Sequence, residues 1–335
     1  MNTRSLTAAA ALALVAGAAL AAPPGYQVVD RISGPDGGWD YLRVDEAHGR
    51  VLIPRGTAVM AVDTDTHKIT TGMAPGGRQH VALPLAGGKE MLVTNGADNT
   101  AVFADIVTGA VIDRVAVAKG PDAAAIEPRS GLVLVMGHAG GAVTLVDPKS
   151  HKAVGDIEVG GALEEAAADG SGRAFVNVED KNEIAVIDVA ARRTVAHWAL
   201  AGCDGPTGLA YDAHDKLLIA ACDGATDLVR VSDGKVVDTL ATGRGADGAA
   251  YDPKRRLGFV PAGRDGTLAV LGFDKGRGRI VQTVPTQRGA RTLAVDGRTG
   301  RVYLPTAQYR PAAAGERPAV VPGTFEVLVV GPKSP

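Results

Sequence analysis

Apolar and polar positions alternate along this chain in short bursts, and the bursts recur. Leu92-Val93-Thr94-Asn95 is the clearest. Related quartets begin at Leu52, Leu134, Phe175, Leu218, Phe259 and Tyr303, so successive starts lie 40, 42, 41, 43, 41 and 44 residues apart. Seven copies at a near-constant period are the mark of a repeat architecture. Within a copy, runs of four to six Val, Leu, Ile and Ala residues are separated by Asp-, Pro- and Gly-rich turns such as Glu127-Pro128-Arg129-Ser130-Gly131 and Asp147-Pro148-Lys149-Ser150. Such runs are strands rather than helices. Four short strands per copy define the blade of a β-propeller, so the expected fold is all-β, a seven-bladed propeller of antiparallel four-stranded blades.

The copies predict blades at about 36–76, 77–119, 120–160, 161–202, 203–243, 244–289 and 290–335. The strand beginning at Tyr26 belongs to no complete copy, and the last copy ends with Phe325–Val330. The N-terminal strand is therefore expected to complete the last blade and close the ring, which removes an exposed edge. The last copy also carries an insertion, residues 307–324, rich in Pro and Ala and containing Arg310, Glu316 and Arg317. It reads either as a tolerated surface loop or as a flap over the central opening.

Composition sharpens this picture in three places. Aromatic residues make up only 4% of the chain while Gly numbers 44, which suits many tight turns and thin strands. The formal net charge is −2, so there is no general cationic field for nucleic acid. Arg4, the apolar run Leu6–Leu20 and Ala19-Leu20-Ala21 have the form of a cleavable signal peptide over residues 1–21, too short for a membrane span. Export to the periplasm or outside the cell follows, with a soluble, monomeric mature protein. Export also permits a disulfide between Cys203 and Cys222, which bracket one predicted hairpin over 207–222; two free thiols are the alternative.

The quartets, led by Leu92-Val93-Thr94-Asn95, with the segment Asn99–Asp105 after them, resemble the YVTN (YncE-like) β-propeller family over about residues 26–331. That resemblance implies an exported seven-bladed propeller. It implies little about activity, since the family's roles are mixed and no catalytic motif of related lactonases or lyases is evident.

Candidate chemistry comes from the repeat itself. The turn after each innermost strand is anchored at Asp45, Leu85, Glu127, Asp169, Asp212, Asp252 and Asp296. Five residues upstream stand Asp40, His80, Asp122, Glu164, Thr207, Asp247 and Arg291. Periodic equivalence places all seven around one axis at the channel mouth. Carboxylates crowded there raise one another's pKa or recruit a cation. Asp40, His80, Asp122, Glu164 and Asp247 are the expected metal donors. Oxygen ligands suit Ca²⁺ or Mg²⁺, and a histidine among them admits Zn²⁺, Mn²⁺ or Fe²⁺. His80, Asp122 and Glu164 are the candidate acid–base groups, and Arg291 is suited to an anionic group of a ligand. His138 and Glu179 end second strands on the same face, where they either extend the site or serve as ordinary loop residues. Trp39, Tyr41, Gln79 and Glu165 flank the set.

Three functions remain open on these residues: binding of a small ligand or divalent metal, metal-assisted hydrolysis of lactones or esters, and a non-catalytic protein-interaction scaffold in which the polar lining is merely solvated. The acidic mouth argues against nucleic acid as its ligand. Gly243-Arg244-Gly245-Ala246-Asp247-Gly248 opens a strand rather than a helix, so a dinucleotide reading fails. Lys275-Gly276-Arg277-Gly278-Arg279 is a short basic turn.

Overall fold

Seven four-stranded antiparallel sheets surround a central axis in the computed structural model, which describes residues 25–311 and 318–333. The signal peptide expected over 1–21, and Glu316 and Arg317 of the insertion, lie outside the described residues. Among the described residues there is no α-helix, only a single 3-10 turn at Glu179–Lys181, and no helix is long and apolar enough to cross a membrane.

Blade 3 shows how the pattern becomes a sheet. Its inner strand Pro121–Ile126 pairs with Val133–Gly137, which pairs with Ala142–Asp147, which pairs with Lys152–Glu158. The recurring quartet forms the second strand, and every residue of Val133–Gly137 is buried. Both faces of that strand meet a neighbouring blade, which is why it is apolar throughout rather than alternating. Exposure returns at the outer strands, as in Val111–Ala116 of blade 2.

In five blades the turn after the inner strand is held by the anchor side chain found in the sequence: Glu127, Asp169, Asp212, Asp252 or Asp296. Glu127 accepts the N–H groups of Arg129 at 3.0 Å and Ser130 at 2.7 Å. Asp212, Asp252 and Asp296 do the same for His214, Lys254 and Arg298 at 2.8–2.9 Å. Self-capping of this kind is what makes Asp and Glu turn formers. Hydrogen bonds from the Arg129 and Ser130 amides and the Ser130 side chain outweigh burial and hold the Glu127 carboxyl below its ordinary value.

Ring closure follows the expected clasp. Tyr26–Ser33 pairs antiparallel with Glu326–Pro332, so the last blade takes three strands from the C-terminal end of the chain and its outer one from the N-terminal end. Ile32, Trp39, Val51, Tyr303 and Phe325 then form one buried cluster across the junction of blades 7 and 1. The insertion of the last blade folds back on itself: Arg310 donates its N–H to the Ala319 carbonyl, and Val321 donates to Gln308, both at 2.8 Å.

Cys203 and Cys222 form a disulfide, with their Cα atoms 5.3 Å apart. The inner hairpin of blade 5 pairs Gly208 with Ala221, so position 222 falls opposite 207. Cys203 still reaches Cys222 because the chain doubles back, with Asp223 donating its N–H to the Asp204 carbonyl at 2.9 Å. Cross-linking across 19 residues is worth about 3 kcal/mol in the loop-entropy picture. A Cys203→Ser/Cys222→Ser variant should lose about that much in guanidinium unfolding, and reductant should destabilise the parent but not the variant.

Candidate functional site

The innermost strands are Arg43–Asp45, Ala82–Pro84, Pro121–Ile126, Leu163–Ala168, Gly208–Asp212, Ala250–Asp252 and Ala294–Val295. The chain enters each from the same face. The register pairs Pro121 with Gly137 and Leu163 with Val178, so the ends of the second strands reach that face too. His138 and Glu179, one residue beyond, therefore stand at the mouth with the seven periodic positions.

Three of the seven meet in one cluster. His80 Nδ1 lies 2.8 Å from Asp40 Oδ2 and 3.1 Å from Asp122 Oδ1. The single buried hydroxyl of Thr94, in the quartet of blade 2, fixes this geometry. It accepts the backbone N–H groups of His80 at 3.3 Å and Val81 at 3.1 Å, and it donates to the Asp122 carbonyl at 3.5 Å. One side chain thus ties blade 2 to blade 3 at the point where their functional side chains touch.

Glu164 belongs to a second group. Its Oε2 accepts the Tyr41 hydroxyl at 2.7 Å, and its Oε1 lies 3.0 Å from His138 Nδ1. That histidine contact is close but poorly aligned, so it acts as an ion pair rather than a directed hydrogen bond. Glu179 completes the group: donor atoms of His138, Glu164 and Glu179 all lie within 4.8 Å of one another, as do those of Asp40, His80 and Asp122. Asp247 touches the second group only through the Tyr41 hydroxyl, 3.5 Å from its Oδ1, and is gripped by Arg291 Nε at 2.6 Å. Arg291 is also 3.9 Å from Asp40 and donates to the Trp39 carbonyl at 3.2 Å. Thr207 joins neither group; its hydroxyl donates to the Ala246 carbonyl at 3.2 Å.

Side chains cross the channel at this level. Tyr41 is 3% exposed and spans the axis from blade 1 to Glu164 of blade 4. Arg43, two residues on and so on the same side of its strand, reaches across to Glu165 at 2.7 Å. Sequence equivalence did not single out Arg43. Its only signal was strand alternation, a cation at i+2 from Tyr41 in an inner strand. Trp39 packs against Phe325, and Gln79 donates to the Ala74 carbonyl, so both are structural supports of the mouth.

Burial in this crowd sets the proton affinities. The Asp122 carboxyl is pushed up to about 7 by burial and by the Glu164 charge, with His80 opposing. Burial lowers the His80 pKa, but its hydrogen bond to Asp40 and the charges of Asp122 and Asp40 outweigh this and raise it overall. The Glu164 contact raises His138 to about 9 against its own burial. Asp247 is driven well above the carboxylate range by burial despite Arg291, and burial likewise raises Glu165 and Glu179. Tyr41 rises well above its ordinary value through burial and the surrounding carboxylates.

Two cavities flank this cluster. One, about 490 Å³, is lined by Trp39, Arg291, Tyr309 and Val320 among others. The other, about 1290 Å³, lies over blades 6 and 7 and shares Arg291 and Tyr309 with the first.

No protein-family model matches the chain, and neither does any curated protein. Among solved structures, a chain of Kuenenia stuttgartiensis hydrazine synthase is similar over 84% of this chain and 96% of its own, at 17% identity and a TM-score of 0.70. A chain of a mitotic checkpoint complex is similar over 97% of this chain and 99% of its own, at 13% identity and a TM-score of 0.71. Likeness at these identities establishes the propeller fold alone.

The proton affinities give a stability prediction. A folded-state pKa raised from 3.8 to about 7 means that ionising Asp122 disfavours the fold, so its contribution declines as pH rises from about 4 to 7. The raised His80 and His138 act in the same sense, with stability present below about 6.5 and lost above it. The metal-free protein should therefore be more stable at pH 5 than at pH 8. Asp122→Asn should narrow that gap, and thermal melts at the two pH values measure it.

Proposed function

We propose that this protein is an exported propeller of the YVTN type that binds a divalent cation at its channel mouth, through Asp40, His80 and Asp122. The observation that carries the reading is the convergence of one ring nitrogen and two carboxylates, from three successive blades, within 4.8 Å. The donor set fits a cation chemically. Two carboxylates supply charge, and an imidazole favours a first-row ion such as Zn²⁺ or Mn²⁺ over Ca²⁺ or Mg²⁺. Repulsion among ionised groups, which otherwise drives protons onto Asp122 and His80, is relieved when a cation replaces those protons. A bound ion at this place would polarise a carbonyl or acidify water. Around it Tyr41 excludes solvent from below, Thr94 holds the backbone of both His80 and Asp122, and Arg291 offers a cation to an anionic ligand group.

A separate observation favours a hydrolytic role at the same mouth. Asp122 has a proton affinity near neutrality and sits beside a histidine, with two cavities opening against Arg291. Groups poised in this way suit general acid–base work. Turnover of lactones or esters that is lost with chelator and restored by metal supports this reading; chelator-indifferent turnover excludes the metal-assisted form.

Export rests on the charged start, apolar run and Ala19-Leu20-Ala21 of the sequence, and the disulfide suits an oxidising compartment. Mass spectrometry of the mature protein should find it beginning at Ala22.

Metal binding is tested on chelator-stripped protein by calorimetry and elemental analysis with Zn²⁺ and Mn²⁺ at pH 8. Binding is expected, with His80→Ala and Asp122→Asn each weakening it at least tenfold, about 1.4 kcal/mol. Affinity should fall as pH drops from 8 to 6, because Asp122 takes up a proton through about 7 and His80 gains one as well. No retained ion at pH 8 overturns the proposal.

A further inference from the structure

The larger cavity shares Asp247 and Arg291 with the mouth and is otherwise built from segments outside the acidic cluster. Its floor comes from Arg244–Asp247 ahead of blade 6, the Gly263-Arg264 turn within it, and Thr286–Arg291 leading into blade 7; its wall is Ala307–Pro311 with Pro318 of the insertion. Five arginines line it, at 244, 264, 288, 291 and 310, against a single lining carboxylate, Asp247. Three arginines are tied to acids: Arg244 to Asp265 at 2.8 Å, Arg264 to Asp223 at 3.0 Å and Arg291 to Asp247 at 2.6 Å. Arg288 is oriented differently, by donating Nε to the Arg264 carbonyl at 3.1 Å. Arg288 and Arg310 have no carboxylate partner among the described residues, while Arg291 also lies 3.9 Å from Asp40, in a chain whose formal net charge is −2.

Glycines make this arrangement possible. A Cβ at Gly245 would lie 2.7 Å from the Arg264 side chain, and one at Gly263 would lie 2.7 Å from that of Arg291. A Cβ at Gly289 would lie 2.4 Å from a ring carbon of Tyr309. Gly245 and Gly289 also have φ of +76° and +91°, where a side chain is disfavoured. The Gly-Arg-Gly-Ala-Asp-Gly segment beginning at Gly243 thus acts as a shelf on which arginine side chains lie close to the backbone. Thr286 Oγ1 and Gln287 Nε2, in the same lining, are buried donors without a partner among the described residues.

We infer that this cavity binds a small molecule carrying two or more negative charges on oxyanion groups, phosphate or carboxylate. Guanidinium groups fixed in place by carboxylates and carbonyls present N–H pairs with little further entropy to lose, the arrangement suited to oxyanions. The two guanidinium groups without a carboxylate partner, Arg288 and Arg310, suit a dianion. The cavity's volume, about 1290 Å³, exceeds the roughly 300–1,000 Å³ of a typical small-ligand pocket and so leaves room for a body beyond the charged groups. This site does not depend on a metal at Asp40, His80 and Asp122, although Arg291 borders both.

The test is calorimetry and thermal shift on the full mature chain at low ionic strength, with pyrophosphate and citrate as separate probes and single-stranded DNA as a third. Saturable binding of pyrophosphate or citrate is expected, and the stronger of the two names the oxyanion class. Arg288→Glu and Arg264→Glu, both on exposed side chains, should each weaken binding at least tenfold with unchanged melting temperature. His80→Ala should leave anion affinity within about twofold while abolishing metal retention, so failure of the metal site and failure of the anion site read out separately. Absence of binding by either small anion, binding indifferent to both Arg variants, or binding of DNA alone overturns the inference.

Discussion

Backbone pairing between Tyr26–Ser33 and Glu326–Pro332 is the interaction on which the rest depends. Each blade buries its faces only against its neighbours, so an open array would expose two apolar sheet faces and two strand edges. Joining the two ends of the chain in one sheet converts the array into a ring. Only in a ring do residues from 40 to 291 approach a common axis. Proton affinities at the mouth are therefore a consequence of closure: Asp122 owes its shift to burial and to Glu164 one blade away, and Tyr41 owes its shift to burial and to carboxylates from blades on the far side.

Crowding at the axis is handled by side chains that cross it. Tyr41 and Arg43 belong to blade 1, yet their partners Glu164 and Glu165 belong to blade 4. An ionised carboxylate buried this deeply requires a donor or a counter-charge, and each of these two has one. A phenol and a guanidinium that cross the throat satisfy these two acids and leave the His80 cluster at the face of the ring.

Much of this was legible in the sequence because a repeat reports geometry without requiring any pairwise contact to be known. The turn anchors Glu127, Asp212, Asp252 and Asp296 each cap their own turn, and counting back five residues from the seven anchor positions, Leu85 and Asp169 among them, landed on His80, Asp122, Glu164 and Asp247 at one mouth. Which of these touch was not legible. Equivalence places seven positions on a circle, but side-chain length and rotamer decide that His80 takes both Asp40 and Asp122 while Thr207 turns to a backbone carbonyl. Arg43 escaped because it follows the periodic position by three residues and matters only through its reach across the axis. The arginine cavity escaped for a different reason: Arg244 and Arg288 each stand three residues before a periodic position, but Arg264 comes from a turn and Arg310 from an insertion in one copy alone, so the period does not join the set.

Polarity divides the mouth of the ring. Blades 1 to 4 contribute Asp40, His80, Asp122, His138, Glu164 and Glu179, whereas the segments around blades 6 and 7 contribute the arginines. Arg291 sits on the boundary, bonded to Asp247 through Nε and 3.9 Å from Asp40 through its terminal nitrogen. Burial lowers its proton affinity, but Asp247 and Asp40 outweigh this, so it stays cationic. A permanent cation there offsets part of the Asp40 charge and completes the positive lining of the other half. Neutralising Arg291 would leave Asp247 as a half-buried carboxyl already disposed to keep its proton, and would remove the cation that stands 3.9 Å from Asp40. The two halves thus meet at one guanidinium, and a change at Arg291 itself acts on both.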